Sequence, residues 1–108
     1  MSKAKSEWWA SAFVSADGQF TQQGDHQIMF SMQSISKVVA FTYLHSIYIK
    51  KYGDGELIHK WIGEEPSGLE FDEAVLDSRG RPHNPMVNSG AILTCALLVN
   101  EGKTIEDF

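Results

Sequence analysis

A serine and a lysine stand three residues apart in Gln33-Ser34-Ile35-Ser36-Lys37, where the apolar pattern of a helix begins. Side chains three apart on a helix share a face, so the Ser34 hydroxyl and the Lys37 amine can meet. The chemistry this allows is nucleophilic. A serine hydroxyl is a weak nucleophile at neutral pH and needs a neighbour that takes its proton. An ammonium cannot do so, and a base role requires the neutral amine. Desolvation against an apolar helix face and the positive end of the helix dipole both favour that form of a lysine. The same helix start leaves backbone N–H groups without intrahelical acceptors, and that of Ser34 can help hold a developing oxyanion. Ser36 is a second hydroxyl, but one residue from Lys37 it points elsewhere on the helix. Taken alone, the spacing also fits a solvated lysine near a helix start, because both residue types are common.

The elements that must position these groups follow from the pattern around them. Val38, Phe41, Leu44, Ile47 and Tyr48 recur at three and four residues and predict a long, largely buried helix from Ser34 to about Tyr52. Lys50 and Lys51 suit its negative end and Gly53 its termination. Upstream, Trp8 to Ala16 reads as a strand running into Asp17-Gly18, a hairpin turn dipeptide. Gln19 to Thr21 begins the returning strand, Gln22 to Asp25 is a polar break, and Gln27 to Phe30 reads as a further short strand. Downstream, Glu56 to Ile62 reads as a shorter helix closed by Gly63, and 64 to 82 as a loop with turn chemistry at Glu65-Pro66-Ser67-Gly68. A last helix is expected with Asn84 as N-cap and Pro85 in its first turn, running through Ile92, Leu93, Leu97 and Leu98 to about Gly102. Thr104, with Asp107 three residues on, resembles the cap of another helix.

The chain has 108 residues, 43% apolar and 11% aromatic, enough for one core and unlike a disordered segment. No repeat or linker divides it, so it reads as one domain or one piece of a domain. Its formal charge of -5, with scattered basic residues, excludes a nucleic-acid surface. The longest largely apolar run, Ala91 to Val99, is short of the about 20 residues that cross a bilayer, and Met1 to Glu7 lacks the apolar core of a signal peptide. These features predict a soluble chain with no membrane partner. Cys95, the single cysteine, falls in an apolar helical pattern and reads as a buried, inert thiol. The four histidines, His26, His45, His59 and His83, show no metal-ligand spacing, and no metal or other cofactor is indicated.

Three stretches taken together are more specific than any alone. They are Gly24-Asp25 through Phe30 into Gln33-Ser34-x-x-Lys37, then Gly63-x-Glu65-Pro66-Ser67-Gly68-Leu69-x-Phe71, then Pro82-His83-Asn84-Pro85-Met86-Val87-Asn88-Ser89-Gly90-Ala91-Ile92. In this order they resemble the glutaminase family, from about Trp9 to the C-terminus. The resemblance implies an α+β chain, part of a serine β-lactamase/transpeptidase-like fold, and the N-terminal portion (1–108) of a single catalytic domain. It implies hydrolysis of L-glutamine to L-glutamate and ammonia, a homo-oligomer in the full-length protein, and an intracellular setting, cytoplasmic or mitochondrial. By the same resemblance Ser34 is the nucleophile, Lys37 its proton acceptor, and Gln33 and Asn88 substrate contacts. An amide such as Asn88 donates and accepts at once, which suits an amino-acid head group. A structural asparagine and a satisfied Gln33 amide are the alternatives. Glu65 and Ser67 read as structural residues of their loop.

The chain departs from the family pattern at Ser89, where Ala is common, and at Asp72, where Asn is common, and its stretch from Ile49 to Gly55 is longer than the corresponding turn of the family's eukaryotic members. The substrate-gripping and proton-transferring groups expected later in the family fall outside it, so the chain by itself is expected to be inactive and only marginally stable. Two other readings share parts of the pattern. One is a β-lactamase or penicillin-binding-type acyl hydrolase, against which Asn84-Pro85-Met86-Val87-Asn88 argues. The other is a non-catalytic product that packs on a full-length partner.

Overall fold

The structure is a computed structural model describing residues 4–102; the expected cap at Thr104 and Asp107 lies outside the described residues. The chain is a small α+β protein in which an antiparallel hairpin precedes the helices. It divides into two compact units, residues 1–31 and residues 32–108.

The first unit is the hairpin of β1 (Ala10–Val14) and β2 (Phe20–Gly24), with Ala12 opposite Gln22 and Val14 opposite Phe20. The Gly18 N–H donates to the Ser15 carbonyl at 2.9 Å, and Gly18 follows that turn with φ 84°. This is a type I turn completed by a left-handed glycine, as the Asp17-Gly18 pair leads one to expect. Asp17 and Gln19 side chains close the loop around Ser15, and hydrogen bonds from Ser15 and Gln19 hold the Asp17 carboxyl below its ordinary range. β2 continues through Gln22 and Gln23, the expected polar break, because cross-strand pairing there is made by backbone groups and both faces are exposed. The expected strand at Gln27–Phe30 is not formed. The Ile28 N–H instead closes a turn onto the Asp25 carbonyl at 3.0 Å, and an isolated extended segment has no ladder to satisfy it. Asp25 also ties the hairpin's open end, its N–H donating to the Trp9 carbonyl at 2.8 Å.

The second unit is built on α1 (Ile35–Tyr52), a 3-10 helix (Gly55–Lys60) and α2 (Asn88–Asn100). α1 spans the range its periodicity predicts and ends on Gly53, at φ 75°, whose N–H donates to Ile49. The expected helix at 56–62 is the 3-10 turn, started by the Asp54 carboxylate accepting from the Glu56 N–H at 2.9 Å. The core is Leu44, Tyr48, Ile58 and Leu98, with Phe41, Ile47, Leu57 and Leu97 packed against it. Burying a side chain such as Leu44 or Ile58 is worth about 1.5–3 kcal/mol. α2 faces this core through Gly90, Thr94 and Leu98, spaced four apart. Ile92 is 71% exposed and Val99 69%, and on α1 Ile35 and Val38 are similarly open. None of the described helices is long and apolar enough to cross a membrane.

The far ends of α1 and α2 are pinned by charge. Lys51 Nζ lies 2.6 Å from Glu101 Oε2, and the Tyr52 hydroxyl donates to Glu101 Oε1 at 3.0 Å. The bond from Lys51 holds the Glu101 carboxyl below its usual range, and the same bond pushes Lys51 up to about 12.

Leu44→Ala is expected to lower stability by about 2–5 kcal/mol in urea unfolding, the cost of a cavity in a packed core. Ile92→Ala should change it by no more than about 0.5 kcal/mol. Glu101 binds its proton less readily folded than unfolded, so its contribution is present above the ordinary carboxylate range and is lost as pH falls through its lowered folded value. Thermal melts taken from neutral into acid pH should show a loss of stability that is smaller in Glu101→Gln. Equal acid sensitivity of the two proteins would show that this pair does not contribute.

Candidate functional site

Ser34 ends the turn before α1 as its N-cap residue, with its hydroxyl making no capping bond. Gln33 before it has φ 44°, the one non-glycine residue in left-handed backbone among those described. That kink aims the chain into the helix. The N–H groups of Ile35, Ser36 and Lys37 are taken by the carbonyls of Met32, Gln33 and Ser34 at 3.1 Å each. The Ser36 hydroxyl donates to the Gln33 carbonyl at 2.6 Å, so it is engaged locally. Of the two hydroxyls, that of Ser34 is the one this turn does not engage.

Lys37 reaches away from its own helix. Its amine donates to the Met86 carbonyl at 2.8 Å and to Asn88 Oδ1 at 2.7 Å, residues 49 and 51 positions later. The Phe71 ring stands 5.9 Å from the same amine, and the Phe71 carbonyl accepts from the Asn88 N–H at 2.8 Å. Two segments distant in sequence thus converge on Lys37. Lys37 and Asn88 are in direct contact, and Ser34 lies three residues before Lys37 at the start of α1. Sequence reasoning missed two contributors, Met86, which acts through a carbonyl that any residue carries, and Phe71, whose place in a motif gave no role.

The segment that presents Met86 and Asn88 differs from the expected helix start. Asn84 Oδ1 accepts from the N–H groups of Met86 and Val87 at 2.9 and 3.1 Å, which is the capping geometry its residue type suggests. Val87, however, is extended at φ -71°, ψ 156°, so Asn84–Val87 is a turn and α2 starts at Asn88. This break exposes the Met86 carbonyl to Lys37 instead of committing it to a helix. A Cβ on Gly90 would run into the Asn84 carbonyl, so only glycine lets the turn lie against α2. The Asn84 amide also donates to the Glu65 carbonyl at 3.0 Å, and the Ser67 hydroxyl accepts from the Leu69 N–H at 3.1 Å. Both contacts fit the structural reading of the Glu65–Gly68 loop.

Beside Lys37 lies a cavity of about 350 Å³ between α1 and α2, walled by Ala40, Ala91, Thr94 and Cys95. Cys95 is exposed there, which corrects the buried thiol expected from the apolar run. It follows Thr94 and so falls off the Gly90–Thr94–Leu98 stripe that faces the core. The Ser89 hydroxyl is buried and has no hydrogen-bond partner among the described residues. The donor atoms of Glu56, His59 and Glu64 also come together, a grouping that histidine spacing did not suggest.

The chain is thus a small α+β protein with a serine at the start of α1 and, three residues on, a lysine held by an asparagine from the start of α2. The glutaminase family's sequence profile matches residues 1–108, and the chain belongs to the glutaminase family. It is 37% identical over 105 residues to a glutaminase of Trichormus variabilis, covering 96% of this chain. It is 36% identical over 102 residues to a glutaminase of Microcystis aeruginosa, covering 94% of this chain. Over 108 residues and the whole of this chain it is 33% identical to the mitochondrial liver isoform of glutaminase from Rattus norvegicus. The chain spans 30%, 29% and 17% of the lengths of these relatives, respectively.

Ser89→Ala should leave stability unchanged or raise it by up to about 1 kcal/mol, because it removes a buried hydroxyl that no group satisfies. Gly90→Ala should destabilise by more than the about 1 kcal/mol that alanine otherwise gains over glycine inside a helix. Chemical denaturation of the two variants checks both, and a stabilised Gly90→Ala would show that the turn does not depend on close approach to α2.

Proposed function

We propose that the protein containing this chain hydrolyses L-glutamine to L-glutamate and ammonia, with Ser34 as nucleophile and Lys37 as its base. The observation that carries the reading is the pair of hydrogen bonds from Lys37 to Met86 and Asn88. With two N–H groups committed, a neutral amine keeps its lone pair in the remaining tetrahedral position, available for the Ser34 proton. Ser34 Oγ then attacks the side-chain carboxamide carbon, and its proton passes to Lys37. The C–N bond breaks as Lys37 returns that proton to the departing ammonia, leaving a glutamyl ester on Ser34. Water, deprotonated by the same amine, hydrolyses the ester. The Ser34 N–H, outside the amide ladder of the first turn, contributes to the oxyanion site. Asn88 spends Oδ1 on Lys37 and offers its amide N–H groups to glutamine, with Gln33 the second contact.

In this reading residues 1–108 are the N-terminal portion of one catalytic domain with a serine β-lactamase/transpeptidase-like fold. The full-length protein is an intracellular homo-oligomer, and this chain alone does not turn over glutamine, because groups that act as a unit fail together. The mitochondrial relative supports one of the two compartments open to it.

Ammonia release from glutamine by the chain extended to its relatives' length is the test. Ser34→Ala should reduce kcat by about a thousandfold or more, and Lys37→Arg nearly as much, since arginine stays protonated. Ser36→Ala should retain turnover. Activity of Ser34→Ala within about tenfold of the parent would exclude Ser34 as nucleophile, since loss of a catalytic nucleophile costs far more.

A further inference from the structure

We propose that Glu56, His59 and Glu64 form a surface site for a divalent metal ion of the zinc class, made of residues other than Ser34, Lys37 and Asn88. One donor atom from each of the three lies within 4.8 Å of the others. Their convergence has a local cause. A 3-10 helix has three residues per turn, so Glu56 and His59 are eclipsed on one side of Gly55–Lys60. Glu64 returns to that side after the Ile62–Gly63 bend.

The histidine is already set as a ligand. His59 Nδ1 lies 3.0 Å from the Ile62 carbonyl, and a carbonyl only accepts, so Nδ1 carries the proton. In the neutral ring Nε2 therefore holds the lone pair. Donation of the far N–H to a backbone carbonyl is how metal-binding imidazoles are oriented. Nε2 faces Glu64 Oε2 at 3.6 Å, two electron-rich atoms toward each other. That separation is long for a hydrogen bond but close to the roughly 3.4 Å between tetrahedral ligands that each stand about 2.0–2.2 Å from one zinc ion. A cation between them removes the repulsion. The competing state is an imidazolium paired with Glu64, which needs a proton where the proposal puts a metal.

The backbone under the site is fixed independently of any ion. Ile58 and Ile62, on either side of His59, are fully buried. The Arg81 guanidinium donates to the His59 carbonyl and is itself paired with Asp77 at 2.9 Å. The Gly63 N–H donates to the Pro82 carbonyl at 2.8 Å, and a Cβ on Gly63 would lie 2.5 Å from the His83 carbonyl. Ordering costs are thus confined to two glutamate side chains. One imidazole and two carboxylates favour zinc, cobalt or manganese over the all-oxygen shells of magnesium and calcium. The two glutamates are exposed, so further positions on the ion are open to water.

The test titrates the chelator-stripped 108-residue chain with zinc by calorimetry in excess magnesium, and with cobalt followed by visible absorption. One ion per chain is expected. His59→Gln and Glu64→Gln should each weaken zinc binding by about tenfold or more, while His26→Gln and Cys95→Ser should not change it. Glu64, with its side chain 66% exposed, can be replaced without disturbing the core, so its result stands even where His59→Gln perturbs packing. No binding, binding unchanged in Glu64→Gln, or binding lost with His26 or Cys95 would each overturn the proposal.

Discussion

The amine of Lys37 is the group on which the second unit's arrangement turns. It leaves the first turn of α1 and is caught by a backbone carbonyl and a side-chain oxygen from a segment about fifty residues later. Holding a lysine head between two acceptors spends the conformational freedom of a long, mobile side chain, and it is stable only where both acceptors are already in place. Here they are. Asn84 folds the chain into a turn, Val87 extends it, and Gly90 permits the turn to rest on α2, so contacts that do not involve Lys37 hold the segment that presents Met86 and Asn88.

That geometry requires α1 and α2 to keep a fixed spacing, which core packing along their C-terminal halves provides and charge reinforces at the same end. Leu44 and Leu98 are buried against each other's helices with Tyr48 and Ile58, and Glu101 ties the C-terminal end of α2 to Lys51 and Tyr52. The helices carry exposed apolar residues as well, among them Val38, Val39, Ile92 and Val99. The apolar periodicity of α1 is therefore broader than the stripe the described core uses.

Local signals with a single physical solution were legible in the sequence. The span of α1 followed from its periodicity, its end from a glycine that can take positive φ, and the hairpin turn from Asp17-Gly18. The place of Ser34 and Lys37 at the start of α1 was legible because the apolar periodicity begins there. What failed depended on partners far along the chain. Gln27–Phe30 has the composition of a strand but no described ladder to join. Asn84 does cap two amides as its type suggests, yet the helix begins four residues later because Val87 is extended. Cys95 sits in an apolar run, and its burial was decided by which stripe of α2 met the core. The Lys37–Met86 contact uses a carbonyl, which no residue type announces. Asn88 was expected against substrate; the structure gives its Oδ1 to Lys37, a contact that the expectation did not include.

The central claim is that Lys37 and Asn88 are directly coupled, and a double-mutant cycle measures that coupling. Urea unfolding of the parent chain, Lys37→Met, Asn88→Ala and the double variant gives the interaction energy between the two side chains. A coupling of about 0.5–3 kcal/mol is expected for groups in hydrogen-bonded contact. Additive single effects, with no coupling beyond error, would mean that Lys37 is not held by Asn88 in solution.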